Sequence, residues 1–468
     1  MNKTTFAVIV GNRGFFPDTL AKKGRQDILD VLKKNGYNSV TLSLNDSKFG
    51  TVETFADAKK CAELFKKNAD KIDGIIVTLP NFGDEKGVAE TIKSSQLNVP
   101  VLIQAQPDDP AKMQLANRRD AFCGKISVCN NLIQAGIPYS LTDRHTVKVK
   151  SAQFKKELDK FASVCKIVKG LKNVRFGAIG ARTGAFNTVR YSEKILELSG
   201  ISVETLDLSE VFGRVDKLRD NNKAVIKKLD DLKKYLPTKG IPNDKLCKMA
   251  KFSHVVDQWV KDMDLAGTAI QCWTSMEEFF GVVPCAIMSL MSQSLMPSAC
   301  EVDITGLLAM YILQLASNSP SAILDWNNNF GSDQNKCLLF HCSNLPKSFL
   351  KNAKMDYHSI IAGTVGKENT YGTVTGRIAP NKATYCRIST DDTRGAIIAY
   401  TGQGEFTNDK IQSFGGYGVM KIPNLQTLLQ YICRAGFEHH VAVSLCQKAE
   451  AVTEALENYM GWDIYQHE

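Results

Sequence analysis

The sequence predicts an α/β chain: two Rossmann-like, doubly wound α/β layers followed by a β-rich, barrel-like C-terminal part. Three observations carry this. Apolar runs alternate with amphipathic helix patterns through roughly the first 110 residues. The same alternation restarts at "VRFGAIGAR". Period-2 runs broken by Gly, Pro and Asp then take over in "GTVTGRIAPNKATYCRISTDDTRGAIIAYTGQGEF", as antiparallel strands require. With 468 residues, 44% of them hydrophobic and 23% charged, the chain has enough material for two or three packed units.

In order along the chain, "FAVIVGN" reads as a strand and "DTLAKKGRQDILDVLKKNGY" as a helix stopped by Gly36. "SVTLSL" is a strand, "TVETFADAKKCAELFKKN" a helix, and "DGIIVTLP" and "VPVLIQAQ" are strands. Strands separated by helices pair in parallel, and ligands then meet the loops at their carboxyl ends, here "GNRGFFPD" and "PNFGDEKG". "SAQFKKELDKFASVCKIVKGLKN" is a helical bridge to the second layer, built from strand "VRFGAIGAR", a helix over "NTVRYSEKILELSG" and strand "SVETLDL". "LAGTAIQCWTSMEEFFG" reads as a strand that feeds polar and aromatic residues into a loop, and "SNSPSA" at 317–322 as a boundary.

Several classes are excluded. No apolar run approaches the roughly 20 residues that span a bilayer, and the start lacks the pattern of a signal peptide, so a cytoplasmic, non-membrane protein is expected. The net charge of +9 is spread over lysine-rich helix faces among acids, which speaks against nucleic acid as a partner. No glycine-rich nucleotide fingerprint follows a strand. The 13 cysteines are scattered, without a C-x-x-C pair, and read as reduced core thiols.

Acids beside apolar sequence are the remaining signal. In "CEVDITGLLAMYILQLAS", Glu301 lies three residues before an apolar helix pattern; Ser298 followed by Glu301 also fits a capping box. Asp325 is the first charge in "SAILDWNNNF", at what reads as a strand end, with an Asx-turn as the structural alternative. "KCLLFHCSN" delivers His341 in the same way, and "FEHHVAVS" offers His439 and His440, of which strand alternation lets one face a given site. Two carboxylates with two imidazoles suit Mn²⁺ or another hard to borderline divalent ion.

These segments, with "GNRGFFP", "GARTGAFNTVRYSEK", "QCWTSMEE" and "LDWNNNFG", resemble the L-fucose isomerase and L-arabinose isomerase superfamily, more closely its fucose-isomerase-like branch. The resemblance implies three domains, which fall here at 1–170, 171–316 (carrying Glu301) and 317–468 (carrying Asp325, His341 and His440). It implies a Mn²⁺-dependent aldose–ketose isomerase acting through an enediol. The substrates it suggests are L-fucose or D-arabinose-type aldoses, or a 6-modified sugar such as sulfoquinovose. By the same resemblance Glu301 and Asp325 are metal-binding and catalytic, and His440 and His341 are metal ligands. Arg13, Gln271, Trp273 and Asn327 are substrate-binding, with Arg13 reaching a neighbouring subunit of a homo-oligomer. The contrasting expectation is a non-catalytic sugar-binding protein of the same fold.

Overall fold

The computed structural model describes residues 3–468, which divide into two compact units: residues up to Lys169 with Glu454–Gly461, and Gly170–Thr453 with Trp462–Glu468. No helix among the described residues is long and apolar enough to cross a membrane.

The first unit is a parallel sheet of β1 (Thr5–Val10), β2 (Asn38–Val40), β3 (Gly74–Leu79), β4 (Val101–Ala105) and β5 (Ser140–Leu141), in the order β2-β1-β3-β4-β5. Every residue of β1, β3 and β4 is buried, because helices cover both faces; this is why these strands are continuous apolar runs. Helix Asp18–Lys34 stops just before Gly36, whose φ of 81° suits glycine. A Thr54–Asp57 capping box starts helix Phe55–Lys66. β2 is shorter than "SVTLSL" suggested, since it is a mostly exposed edge that pairs with β1 alone. The sheet order reverses between β1 and β3, and there the loops "GNRGFFPD" and "PNFGDEKG" bond to each other: Asn81 Nδ2 donates to Asn12 Oδ1 at 2.7 Å. The returning segment near the C-terminus is held by Tyr459, whose hydroxyl meets the backbone N and O of Val101, each at 3.2 Å.

The second unit holds two sheets. β6 (Val174–Ile179), β7 (Ile201–Leu206), β8 (Gly267–Ile270) and β9 (Ser298–Cys300) form a parallel sheet in the order β7-β6-β8-β9. The helix expected over "NTVRYSEKILELSG" is confined to Glu193–Leu198; Arg190 and the residues before it form a loop over the strand ends.

The mixed sheet contains β10 (Ser321–Phe330), β11 (Asp333–His341), β12 (Leu350–Tyr357), β13 (Tyr371–Ile378), β14 (Asn381–Asp391), β15 (Ala396–Phe406), β16 (Gly416–Lys421), β17 (His440–Ser444) and β18 (Asp463–His467). Its order is β12-β13-β16-β11-β10-β17-β14-β15-β18, and β16 also pairs with β15, so the sheet curls back on itself like a barrel. β13 and β14 are consecutive yet unpaired: Ala379 N bonds to Phe349 O at 2.8 Å, drawing the end of β13 toward β12. Helix Ile304–Ser317, almost wholly buried, packs against β14 and β17.

Candidate functional site

Glu301 follows β9, Asp325 lies in β10, His341 ends β11 and His440 opens β17. Asp325 and His440 are directly opposed in the β10–β17 ladder, and Phe340, next to His341, opposes Asp325 on the other side. His440 Nε2 stands 3.4 Å from Glu301 Oε2 and 3.4 Å from Asp325 Oδ1. Donor atoms of Asp325, His341 and His440 lie within 4.8 Å of one another, as do those of Glu301, His439 and His440. The four residues singled out in the sequence therefore share one site.

Three local expectations are corrected. Glu301 is not a capping residue: Ser298 belongs to β9, and helix Ile304–Ser317 is capped by Asp303, which accepts from Gly306 N at 2.8 Å. Glu301 and Val302 take left-handed backbone angles, φ 61° and 57°, and so turn the chain before the helix begins. Asp325 does not end its strand; β10 runs on to Phe330, with a register shift after Trp326, and no Asx-turn forms there. Nor does alternation exclude one histidine, because His439 precedes β17 and its Nε2 is also 3.6 Å from Asp325 Oδ1.

Behind this group is a network to which the sequence alone assigned no role. Asp303 Oδ2 receives His440 Nδ1 at 2.7 Å and Arg387 Nη1 at 2.6 Å, while Arg387 Nη2 reaches Asp303 Oδ1 at 3.0 Å. Arg387 Nε donates to Glu438 Oε2 at 3.0 Å, and Ser389 Oγ to Glu438 Oε1 at 2.7 Å. Arg387, Asp303 and His440 are 0% exposed. The carboxylate fixes the His440 proton on Nδ1 and leaves Nε2 to face Glu301 and Asp325. The available signals were the i, i+2 acids of "EVD" and an arginine at an inward position of the alternating "TYCRIST".

Electrostatics follow from burial. Desolvation pushes the Glu301 carboxyl up to about 7, against the pull of His440 and His341. Burial alone would raise Asp303, but Arg387 and His440 outweigh it and hold its carboxyl well below the usual carboxylate range. Burial lowers His440, yet its bond to Asp303 and the charges of Asp303, Asp325 and Glu301 leave its imidazole raised overall.

A divalent ion fits these residues. Glu301 Oε2 and His440 Nε2 are both buried without a hydrogen-bond partner, a costly arrangement unless something else completes them. Ligand atoms of one ion bound at about 2.1 Å sit roughly 3 to 3.4 Å apart, the spacing found here. The donors of these four residues are oxygen and nitrogen, with the buried thiols of Cys272, Cys300 and Cys342 close to Glu301 and His341. A cleft of about 580 Å³ beside Asn187–Tyr191 and Ser389–Thr393 reaches Glu438 at the outer end of the network.

The expected substrate residues are dispersed. Trp273 leaves a buried, unpartnered Nε1. Gln271 is spent on backbone, accepting from Ala181 N at 2.8 Å and donating to Trp273 O at 2.8 Å. Asn327 is exposed at the register shift in β10. Arg13 belongs to the first unit, where it pairs with Glu85, donates to Gly83 O at 2.8 Å and lies 4.4 Å over the Phe82 ring. Phe15 is 81% exposed, while Phe16 turns back toward Phe82 with ring centroids 5.8 Å apart.

The site thus holds a buried carboxyl with a pKa near 7, the kind of group that can take and return a proton, beside a set of oxygen and nitrogen donors. The family models and relatives that match this chain define its class as an aldose–ketose isomerase, an intramolecular oxidoreductase. Comparison with known proteins narrows the class. Residues 7–172 match the fucose/sulfoquinovose isomerase N-terminal domain, and residues 339–468 match the L-fucose isomerase C-terminal domain. The chain belongs to the fucose isomerase-like family. His341 and His440 fall inside the second match, Glu301 and Asp325 between the two. A sulfoquinovose isomerase of Alkalicoccus urumqiensis is 22% identical over 376 residues, 79% of this chain and 81% of the relative. One of Priestia aryabhattai is 21% identical over 343 residues, 73% of each.

Proposed function

We propose that this protein is a Mn²⁺-dependent aldose–ketose isomerase that works through an enediol. The observation that carries the reading is the pair of buried, unpartnered atoms, Glu301 Oε2 and His440 Nε2, 3.4 Å apart and flanked by Asp325. Glu301, Asp325 and His440, with His341 beside them, would hold the ion. Bound there, Mn²⁺ supplies Lewis acidity for two adjacent sugar oxygens. Glu301, whose burial keeps its pKa near 7, is suited to take the C2 proton and return it to C1. Asp325, less buried and opposed to His440, manages the hydroxyl proton. Asp303 and Arg387 keep His440 oriented through the cycle.

The sugars to test are L-fucose, D-arabinose, L-arabinose and sulfoquinovose, the last because the two relatives above carry that name. Treatment with EDTA abolishes ketose formation in an NMR panel of these aldoses, and Mn²⁺ restores it. Glu301→Gln and Asp325→Asn each lower kcat by about two orders of magnitude or more. Activity indifferent to chelation sinks the metal mechanism; saturable binding without solvent deuterium entering C1 or C2 sinks the enzyme reading in favour of a sugar-binding protein.

Assembly is part of the reading. The exposed Phe15 beside Arg13 suits cover by a second copy of the chain. Mixing Arg13→Ala chains with Glu301→Gln chains then restores some activity; no rescue despite proven subunit exchange defeats shared sites.

A further inference from the structure

A second set of buried polar atoms is left over once the Glu301 group is accounted for. Glu277, in the helical turn Met276–Phe280, is 0% exposed, and neither of its carboxyl oxygens has a hydrogen-bond partner among the described residues. Trp273 Nε1 and His358 Nε2 are likewise buried and unpartnered. The Trp273 and His358 rings meet edge to face, centroids 6.2 Å apart. His358 Nδ1 accepts from Ile361 N at 3.4 Å, which places the ring hydrogen on Nε2 and makes that atom a donor.

This set adjoins the metal-binding group on two sides. The Cys342 thiol lies 3.5 Å from His341 Nδ1; it acts on His358 through a side-chain hydrogen bond as well as charge, and on Glu277 through charge. On the other side, Phe186 stands between Trp273, at 5.5 Å, and His439, at 5.9 Å between ring centroids. The unpartnered atoms thus continue from Glu301 and His440 past these bridges to Trp273, His358 and Glu277.

A buried carboxyl with no partner is strongly disfavoured, and here burial pushes it up to about 7. A bound ligand that completes its bonds accounts for such a group. One acceptor carboxyl, one imidazole donor and one indole donor with an apolar body match a stretch of sugar hydroxyls. A sulfonate offers acceptors alone, and a carboxylate repels it.

We propose that Glu277, His358 and Trp273 form the subsite for hydroxyl groups on the sugar carbons remote from C1 and C2, with Glu277 accepting and His358 Nε2 and Trp273 Nε1 donating. This rests on the isomerase reading, which is what puts a sugar beside Glu301. It makes the preferred substrate a neutral aldose and not a 6-sulfonated one.

The probe that separates the two readings is an alditol, which carries the hydroxyls without the carbonyl and is not isomerised. Titrated calorimetrically into the Mn²⁺-supplemented protein, it binds, and Glu277→Gln weakens it tenfold or more with bound manganese unchanged. Trp273→Phe, which removes one donor and keeps the ring, gives a smaller loss and serves where Glu277→Gln fails to fold. In turnover, Glu277→Gln raises KM for a neutral aldose but not for its 6-sulfonated counterpart. Alditol affinity unchanged within twofold in both variants overturns the subsite, as does a wild-type kcat/KM higher for the sulfonated sugar. If no aldose is converted, the isomerase reading fails on its own, and the alditol titration still decides the subsite.

Discussion

Asp303 is fully buried between Arg387 and His440, so a change there acts on both the ligand and the core. Asp303→Asn keeps a side-chain oxygen for the Gly306 amide but loses the charge that orients His440 and pairs Arg387. Mn²⁺ affinity falls about 10- to 100-fold, as for other groups that orient a metal-ligating histidine. Arg387 keeps Glu438 as its remaining buried carboxylate, so the loss of one of its two partners costs about 3 kcal/mol of stability or less. Equilibrium dialysis and urea denaturation measure the two losses, and a variant unchanged in metal affinity removes Asp303 from the ligand's support. His440→Ala weakens metal binding more than His439→Ala; the reverse order would make His439 the ligand. The pH dependence follows from Glu301. Its folded pKa near 7 lies above the ordinary carboxyl value, so below about pH 7 a proton competes with the ion, and the raised His440 imidazole adds to the competition. Apparent Mn²⁺ affinity therefore falls from pH 7 to pH 5.5; affinity that rises on acidification contradicts the assignment.

The element that sets the site is the turn from Cys300 to Asp303 between β9 and helix Ile304–Ser317. Two non-glycine residues in the left-handed region aim Glu301 away from the helix axis, while Asp303 takes over the cap. Gly306, in the first turn of that helix, leaves room for this arrangement: a Cβ there would fall 2.3 Å from Asp303 Oδ2 and 2.8 Å from Arg387 Nη1. Gly306→Ala therefore disrupts the network despite alanine's better helix propensity, costing about 2 kcal/mol or more and weakening metal binding. At Gly213, in helix Leu208–Asp216, an added Cβ would meet nothing within 4 Å, so Gly213→Ala gains about 0.5–1 kcal/mol and is the control. Equal effects of the two alanines in thermal unfolding would mean that packing around Asp303 is loose.

For the whole molecule, the proposed ligand set is assembled from segments far apart in sequence, with Glu301 after β9, Asp325 in β10 and His440 on β17, all within the second compact unit. The unfolded chain has no such set, so an ion held there as proposed would stabilise the folded state by about 2.7 kcal/mol at 100 times Kd. Calorimetry with and without Mn²⁺ should show the transition of the second unit shifting upward while that of the first unit, which holds none of the four ligands, stays in place. A shift of the first transition alone would place the ion elsewhere.

What the sequence determined by itself is what local pattern encodes. Buried strands such as "DGIIVTLP" and "VRFGAIGAR", the helix end marked by Gly36, and the late period-2 strands were all legible, because backbone bonding and burial impose those periods on adjacent residues. The acids and histidines stood out because charge beside apolar sequence is costly without a partner. Which partner each one has was decided only by tertiary structure. Asp303 and Arg387 meet across 84 positions, Asp303 and His440 across 137, and no local signal carries such pairings. Whether Glu301 capped a helix or faced His440 turned on two left-handed backbone angles that side-chain pattern does not specify. Glu277 lies in a segment whose pattern marks only a strand running into a loop, and it is folding that buries it and leaves its oxygens unpartnered.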